Sequence, residues 1–509
     1  MMKSWKTVLA VLSALNIMAC GGKEPAPEPD PVKLAANPAE LSFEAKGGSQ
    51  ILSITCSDQP TVTCTDGWIA IRLASQTAGA WNFNITAQEN KESVRTSSLR
   101  VIGDKQNLTV PVTQDGSHGR EAFVPPATAH TTAVTPEMVF AAMAPGWNLG
   151  NQMDAVNNGI SGETAWGNPA CTQATFDGIK AAGFKAVRIC VTWAGHIGAA
   201  PDYKLEEKWL GRVAEIVGYA EKVGLVAIVN THHDESYWLD INQVYGNTAK
   251  EEQTKDAIFC VWRQIAERFK DKGDWLILES FNEIQDGGWG WSDAFRKNPQ
   301  AQYKVLNDWN QTFVNAVRST GGNNATRWLG IPGYACNPGF TIAGLELPKD
   351  YTDANRLIVA VHDYDPYNYT LNDPLVRQWG HTADPALRIS NNDEKNVVDV
   401  FDQLKAAYLD KGIPVYLGEM GCSRHEAVDF PYQKYYMEYF CKAAADRLLP
   451  MCLWDNGNKG VGSETHAYLD HATGQFVDDD AKTLVGLMMK AVTTKDASYT
   501  LQSVYDAAP

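Results

Sequence analysis

The chain is predicted to be an α/β protein, a (β/α)8 TIM-type barrel preceded by a small all-β, immunoglobulin-like sandwich. Three observations predict this. From about residue 137 onward, eight strand-like runs alternate with helical patterns, which is the order of a parallel α/β fold. Several of those runs are apolar throughout, as strands covered on both faces must be. Between Lys33 and Gln114 the pattern differs: short runs, several of them alternating apolar with polar, are punctuated by Gly, Ser, Asp and Asn, as in a sandwich.

Residues 1–20 carry Lys3 and Lys6 ahead of an apolar run from Val8 to Met18, closed by Ala19-Cys20. The run is too short to span a bilayer as a mature helix, and its flanks match a secretory signal. The small residue before Cys20 makes it look like a bacterial lipoprotein signal, with Cys20 as the lipidation site. Residues 21–32, from Gly21-Gly22-Lys23-Glu24 through a Pro- and acid-rich stretch, resemble the tether of surface-exported lipoproteins of Bacteroidetes-type bacteria. The expected location is the bacterial cell surface, anchored by lipid to the outer membrane.

The sandwich is assigned to 33–116, with strands expected around Leu41–Phe43, Ile51–Ile54, Trp68–Ile71, Trp81–Ile85 and Leu108–Val112. A linker of Ser, Gly, Ala, Thr and Pro is assigned to 117–135, the barrel to 136–495 and a C-terminal tail to 496–509. In the barrel the expected strands are Gly146–Leu149, Phe184–Val191, Val226–His232, Trp275–Asn282, Arg327–Pro332, Leu357–Tyr364, Pro414–Glu419 and Leu449–Trp454. Helical patterns fill most gaps: Glu206–Val223, Lys250–Phe269, Gln302–Thr320, Val397–Lys411 and Tyr432–Arg447. A doubly wound sheet is the alternative, but no G-x-G-x-x-G or P-loop follows a strand, which removes its nucleotide-binding versions.

A formal net charge of -16 argues against a nucleic-acid partner, since phosphate binding depends on Lys and Arg. Sixteen Trp exceed what the core needs and suit flat partners with apolar faces, such as sugar rings. With Cys20 acylated, nine Cys remain, an odd number that cannot all pair. Cys190, Cys260, Cys336, Cys422, Cys441 and Cys452 lie in apolar runs and read as small buried hydrophobes. Only Cys56 and Cys64 are close enough in sequence for a local bridge. No Cys or His cluster has zinc spacing.

In such a barrel the chemistry sits at the carboxyl ends of the strands. Polar residues gather there: Asn148 to Asn151, Arg188, Asn230 to His233, Asn282-Glu283, His362-Asp363-Tyr364, Gly418-Glu419 and Trp454-Asp455-Asn456. Glu283 and Glu419, at the ends of strands four and seven, face each other across the barrel mouth. Two carboxylates so placed are what glycoside hydrolysis needs, one to protonate the leaving oxygen and one to meet the oxocarbenium-like carbon.

These residues resemble glycoside hydrolase family 5. Asn282-Glu283 is similar to its acid/base motif, Leu417-Gly418-Glu419-Met420-Gly421 to its nucleophile strand, and Arg188, His232, His362, Tyr364 and Trp454 to further positions. Gly146-Trp147-Asn148-Leu149-Gly150-Asn151, Trp166-Gly167-Asn168-Pro169 and Trp454-Asp455-Asn456-Gly457 resemble subfamily 4, which contains endoglucanases, lichenases and xyloglucanases. In the sandwich, Asn90, Arg95, Leu99 and Val112-Thr113-Gln114-Asp115-Gly116 resemble the BACON domain. Of the two roles open to such a module, glycan binding or rigid spacing from the membrane, spacing is the expectation.

The resemblance implies a monomeric retaining endo-β-1,4-glucanase acting on β-glucan polysaccharide, with no metal and no cofactor. Glu283 is then the general acid/base and Glu419 the nucleophile. Asn282 would donate to the sugar 2-hydroxyl, Arg188 would hold Glu419 ionised, Tyr364 would donate to the same carboxylate, and His362 would support Glu283. His232 and His233 would bind hydroxyls, and Asn151 and Asp154 the next sugar on the non-reducing side. Trp454 would floor the cleaved subsite, with Trp289 and Trp291 on the leaving-group side and Trp166 at the opposite end. Asp363 departs from relatives that often have an aromatic residue there. The alternatives are a xyloglucan-specific enzyme, a glucomannanase or mannanase and, in a different class, a surface glycan-binding protein built on a dead barrel.

Overall fold

The computed structural model describes residues 33–509 except 78, 91–94, 117–118, 121–122, 373–374 and 390–392. The lipidation signal with Cys20 and the tether over 21–32 lie outside the described residues. The chain forms two compact units that divide after Gly116.

The first unit is a sandwich of two four-stranded sheets. One orders Ala35–Asn37, Gly48–Thr55, Ala80–Ala87 and Ile69–Thr77; the other orders Leu41–Phe43, Gln106–Gln114, Arg95–Gly103 and Thr61–Thr63. Alternation decides which side chains face inward: Trp81, Phe83, Ile85 and Ala87 from one strand meet Leu99, Val101, Val110 and Val112 from the other sheet. The strand Arg95–Gly103 was not expected, because its first half is polar. Cys56 and Cys64 are both free thiols. Cys56 is sealed in the core, while the Cys64 sulfur lies 3.2 Å from Ser97 Oγ, so the local bridge does not form.

The second unit is a closed barrel of eight parallel strands. They are β1 (Gly146–Leu149), β2 (Ala186–Ile189), β3 (Val226–Val229), β4 (Leu276–Glu279), β5 (Leu329–Pro332), β6 (Leu357–His362), β7 (Val415–Met420) and β8 (Met451–Leu453). All eight strands were anticipated from the sequence, each shorter than or equal to the apolar run that marked it. Side chains alternate between the barrel interior and the layer against the helices. Ala186, Ile228, Ile277, Ile358, Ala360, Tyr416 and Cys452 pack inside, and Val139 and Met143 of helix Pro136–Met143 join that cluster. Outward residues such as Val187, Ile189, Val229 and Leu278 meet helices such as Glu207–Val223. That helix buries Trp209, Leu210, Val213, Ile216, Val217 and Ala220 at helical spacing, and Gly224 ends it in the left-handed conformation, φ +67°.

Two sequence boundaries need correction. The stretch read as a linker, 117–135, is paired with the barrel over its second half: Ala129 N donates to Tyr351 O at 2.8 Å and Val134 N to Asn355 O at 2.8 Å. Arg120 also makes ion pairs with Glu252 and Asp256. Its Ser, Gly, Ala, Thr and Pro content reads as a linker, but backbone pairing ties its second half to the barrel. The stretch read as a tail, 496–509, contains a helix, Leu501–Tyr505, that buries Val504 and stacks Tyr505 on His381 at 3.9 Å.

The seam between β8 and β1 pairs only Cys452 with Gly146 and Leu453 with Trp147. Asp455, fully buried just beyond β8, reinforces it. Its carboxylate accepts from Trp147 Nε1 (3.0 Å), from the amides of Gly457, Tyr468 and Leu469 (2.8–3.1 Å), and sits 3.2 Å from His471 Nε2. Replacing Asp455 by Ala strands these donors in a dry interior. The expected loss is about 3 kcal/mol of unfolding free energy, measured by urea denaturation.

Candidate active site

The carboxyl ends of the strands open into one cleft of about 810 Å³. Its lining includes Asn151, Trp166, His232, His233, Asn282, Glu283, Trp289, Trp291, His362, Tyr364, Glu419 and Trp454. Of the residues singled out from the sequence, Arg188 and Asp154 are buried behind this surface rather than on it.

Glu419 stands near the end of β7 with both carboxylate oxygens held. Arg188 Nη1 donates to Oε1 at 2.8 Å and Tyr364 Oη donates to Oε2 at 3.0 Å. Arg188 reaches it because residue 188 of β2 points into the barrel, where the side chain is fully buried. Its Nη2 donates to Asn282 Oδ1 at 2.6 Å. That engages the amide oxygen of Asn282 and leaves its NH2 group as the free donor at the cleft.

Glu283 follows β4 by four residues. His362 Nδ1, at the end of β6, lies 2.8 Å from its Oε1. One oxygen of Glu283, one of Glu419 and a ring nitrogen of His362 all lie within 4.8 Å of one another. Burial, helped by the negative charge of Glu235, pushes the Glu283 carboxyl up to about 7. Burial pushes His362 down to about 4, so its imidazole is neutral at neutral pH. Its Nε2 is buried without a partner, and an orphaned lone pair is less costly than an orphaned N–H. The ring proton therefore sits on Nδ1 and is donated to Glu283 Oε1. The acid proton of Glu283 is then carried on Oε2, where it can be given to a leaving group.

His232 is neutral for the same reason, burial, and its Nδ1 accepts from Asn230 Nδ2 at 3.1 Å. Its ring lies parallel to Trp454, 3° between planes and 5.8 Å between centroids. Trp454 forms a buried floor, and Gly150 is what admits it. A Cβ at Gly150 would stand 2.8 Å from the Trp454 ring and 2.8 Å from Asp455 O.

His233 lies between Asp154 (3.6 Å) and Glu235 (3.8 Å). Burial opposes its protonation, but these two carboxylates lift it to about 10, so it presents a cation at the cleft edge. Asp154 itself is turned inward: its oxygens accept the amides of Asn151 (3.0 Å) and Gln152 (2.7 Å). It shapes the Asn151 turn and charges His233 from behind. Asp154, His232 and His233 have donor atoms within 4.8 Å of one another, and Asp154 also accepts the amides of Asn151 and Gln152.

Rim aromatics stand out from both sides. Trp166 is anchored by Nε1 donating to Val156 O at 2.9 Å, with its ring 5.6 Å from His233. Trp291 is 74% exposed, and the Arg296 guanidinium sits 4.8 Å from its ring centroid. Trp289 has φ +50°, and Gln285 Oε1 braces its loop by accepting the amides of Gly287 (2.5 Å) and Trp289 (3.1 Å). Sequence reading did not pick out Asn337, Phe340, Tyr367 and Glu464, which also line the cleft. Glu464 is raised by burial and by the nearby charges of Glu419 and Glu283.

Carboxyl groups this close, one raised by burial and one bonded on both oxygens by Arg188 and Tyr364, suit double displacement, which uses a separation of about 5–5.5 Å. Inverting enzymes need about 6.5–9.5 Å to admit a water. The fold and site together define a glycoside hydrolase. A family model described as cellulase (glycosyl hydrolase family 5) matches residues 150–460. The solved structure of a broad-specificity endoglucanase from Bacteroides salanitronis is 49% identical, with a TM-score of 0.69, over 71% of this chain and 96% of that one. Endoglucanase B of Clostridium cellulovorans is 38% identical over 344 residues, 65% of this chain and 70% of its own. A xyloglucan-specific endo-beta-1,4-glucanase of Bacteroides ovatus is 29% identical over 496 residues, 92% of this chain and 93% of its own. The chain belongs to glycosyl hydrolase family 5, the cellulase family.

A proton-donor role for Glu283 requires its carboxyl to be protonated. Activity is therefore retained below its titration and lost as pH rises through about 7. The pH profile of kcat/KM on a soluble glycan is expected to fall tenfold per unit above that point.

Proposed function

We propose that the chain is a retaining endo-β-1,4-glucanase, with Glu283 as general acid/base and Glu419 as nucleophile. The observation that carries this reading is the close Glu283–Glu419 pair at the floor of a cleft open to the surface. Aromatic rims on both sides of the pair suit a polysaccharide bound along its length and cut internally. In the first step Glu419 attacks the anomeric carbon as Glu283 protonates the departing oxygen. In the second, Glu283 takes a proton from water, which displaces Glu419 from the sugar. Arg188 and Tyr364 each donate to one oxygen of the nucleophile and prevent its rotation, and Asn282 is placed to donate to the 2-hydroxyl. Cellulose-type glucan, mixed-linkage glucan and xyloglucan are the proposed substrates.

Reducing-end release and product size on carboxymethylcellulose, barley glucan, xyloglucan and glucomannan test the reading. Mid-sized oligosaccharides are expected early, with release lowered about 10⁴-fold or more in Glu419→Ala. Release from none of the glucans removes the glucanase reading.

We further propose that Cys20 is lipidated, that the protein is held at the outer-membrane surface, and that the N-terminal sandwich is a BACON-type spacer. The charged, apolar and small-residue order of residues 1–20 supports the anchoring, and Asn90, Arg95, Leu99 and Val112-Thr113-Gln114-Asp115-Gly116 support the BACON reading. Cys20→Ala is expected to move the protein out of the membrane fraction without changing turnover of soluble glucan.

A further inference from the structure

A second carboxylate competes for Arg188. Glu279, the last residue of β4, is fully buried. Arg188 Nε donates to both its oxygens at 3.1 Å, and Nη2 donates to Oε1 at 2.7 Å. Asn230 Nδ2, just beyond β3, adds a bond at 3.0 Å to Oε1, and the Tyr416 hydroxyl from β7 donates to Oε2. The arrangement is built in: a Cβ at Gly330 of β5 would stand 2.5 Å from the Tyr416 oxygen and 3.0 Å from Glu279 Cβ. Glu279 thus takes three of the guanidinium's bonds, whereas Glu419 takes one.

We propose that Glu279 is a positioning residue that divides the charge of Arg188, so that Glu419 is held in place but not neutralised as a nucleophile. The inference rests on the hydrolase reading above and adds a residue to it. Burial alone would keep Glu279 protonated, but Arg188 and the Tyr416 hydroxyl outweigh it and hold the carboxyl below its ordinary range. The other titratable groups acting around it are uncharged near neutral pH. Burial pushes the Cys190, Cys336 and Cys452 thiols and the Tyr416 phenol up, and pushes His362 down. What remains is one guanidinium between two carboxylates, with Glu283 as the nearby acid. The negative charge of Glu279 also contributes to raising Glu283.

The sign of the test follows. Glu279→Gln removes one negative charge and leaves Arg188 to Glu419 alone. The acidic limb of kcat/KM then moves to lower pH. The basic limb, set by Glu283, loses an anionic neighbour and moves the same way. Each shift is expected to be about one pH unit, with kcat lowered about tenfold. A merely structural Glu279 would lower thermal stability and leave both limbs in place, which would overturn the proposal. Tyr416→Phe guards against a variant that does not fold. It keeps the charge of Glu279 but removes a donor that shares it, so both limbs are expected to move to higher pH by about half a unit; unmoved limbs count against the proposal. Turnover by the unaltered chain separates the two readings. Without it the hydrolase reading falls and takes this one with it; with turnover and fixed limbs, this one falls alone.

Discussion

One buried guanidinium ties the mouth of the barrel together. Arg188 has no exposure to water, and its donors reach Glu279 on β4, Glu419 on β7, Asn148 on β1 and Asn282 just beyond β4. A charge in that position would be strongly destabilising without partners of opposite sign. The barrel surrounds it with two carboxylates and two amide oxygens, and in doing so ties β4 to β7. The position of Glu419 is therefore a consequence of satisfying a buried cation.

The same dry interior sorts the remaining titratable groups into charged and neutral. His232 and His362 stay neutral because burial, with the positive charge of Arg188 nearby, outweighs the carboxylates beside them. His233, between Asp154 and Glu235, goes the other way and carries a charge. Three histidines near one cleft thus behave differently for reasons of position alone, and two carboxyl groups do the same. Glu419 has donors on both oxygens, while Glu283 has burial and the negative charge of Glu235.

Reading strand ends in the sequence located most of this. Glu283, Glu419, His362 and Tyr364 stand where apolar runs turn polar, and that transition is visible without coordinates. Glu279 was not visible as a partner, because it sits within an apolar run and its cation lies 91 residues away. The available signal was that a Glu and an Arg, each embedded in a buried strand, each require an opposite charge. Asp154 shows the converse: the family resemblance marked it as a sugar contact, but its oxygens are taken by the local amides of Asn151 and Gln152. The segment 117–135 was read from composition as a linker, and only the carbonyls of Tyr351 and Asn355, over 200 residues later, reveal that part of it is paired. Long-range pairing of this kind leaves no periodic trace.

The braced loop carrying Trp289 has a consequence for how a long, stiff ligand is gripped. A large ring on a loose loop would surrender its freedom each time a chain docked, and that lost entropy would weaken binding. Here Gln285 fastens the loop to itself, so much of the ordering is completed during folding. The rim can therefore act as a rigid rail, releasing a cut chain and receiving the next stretch without rebuilding its own shape.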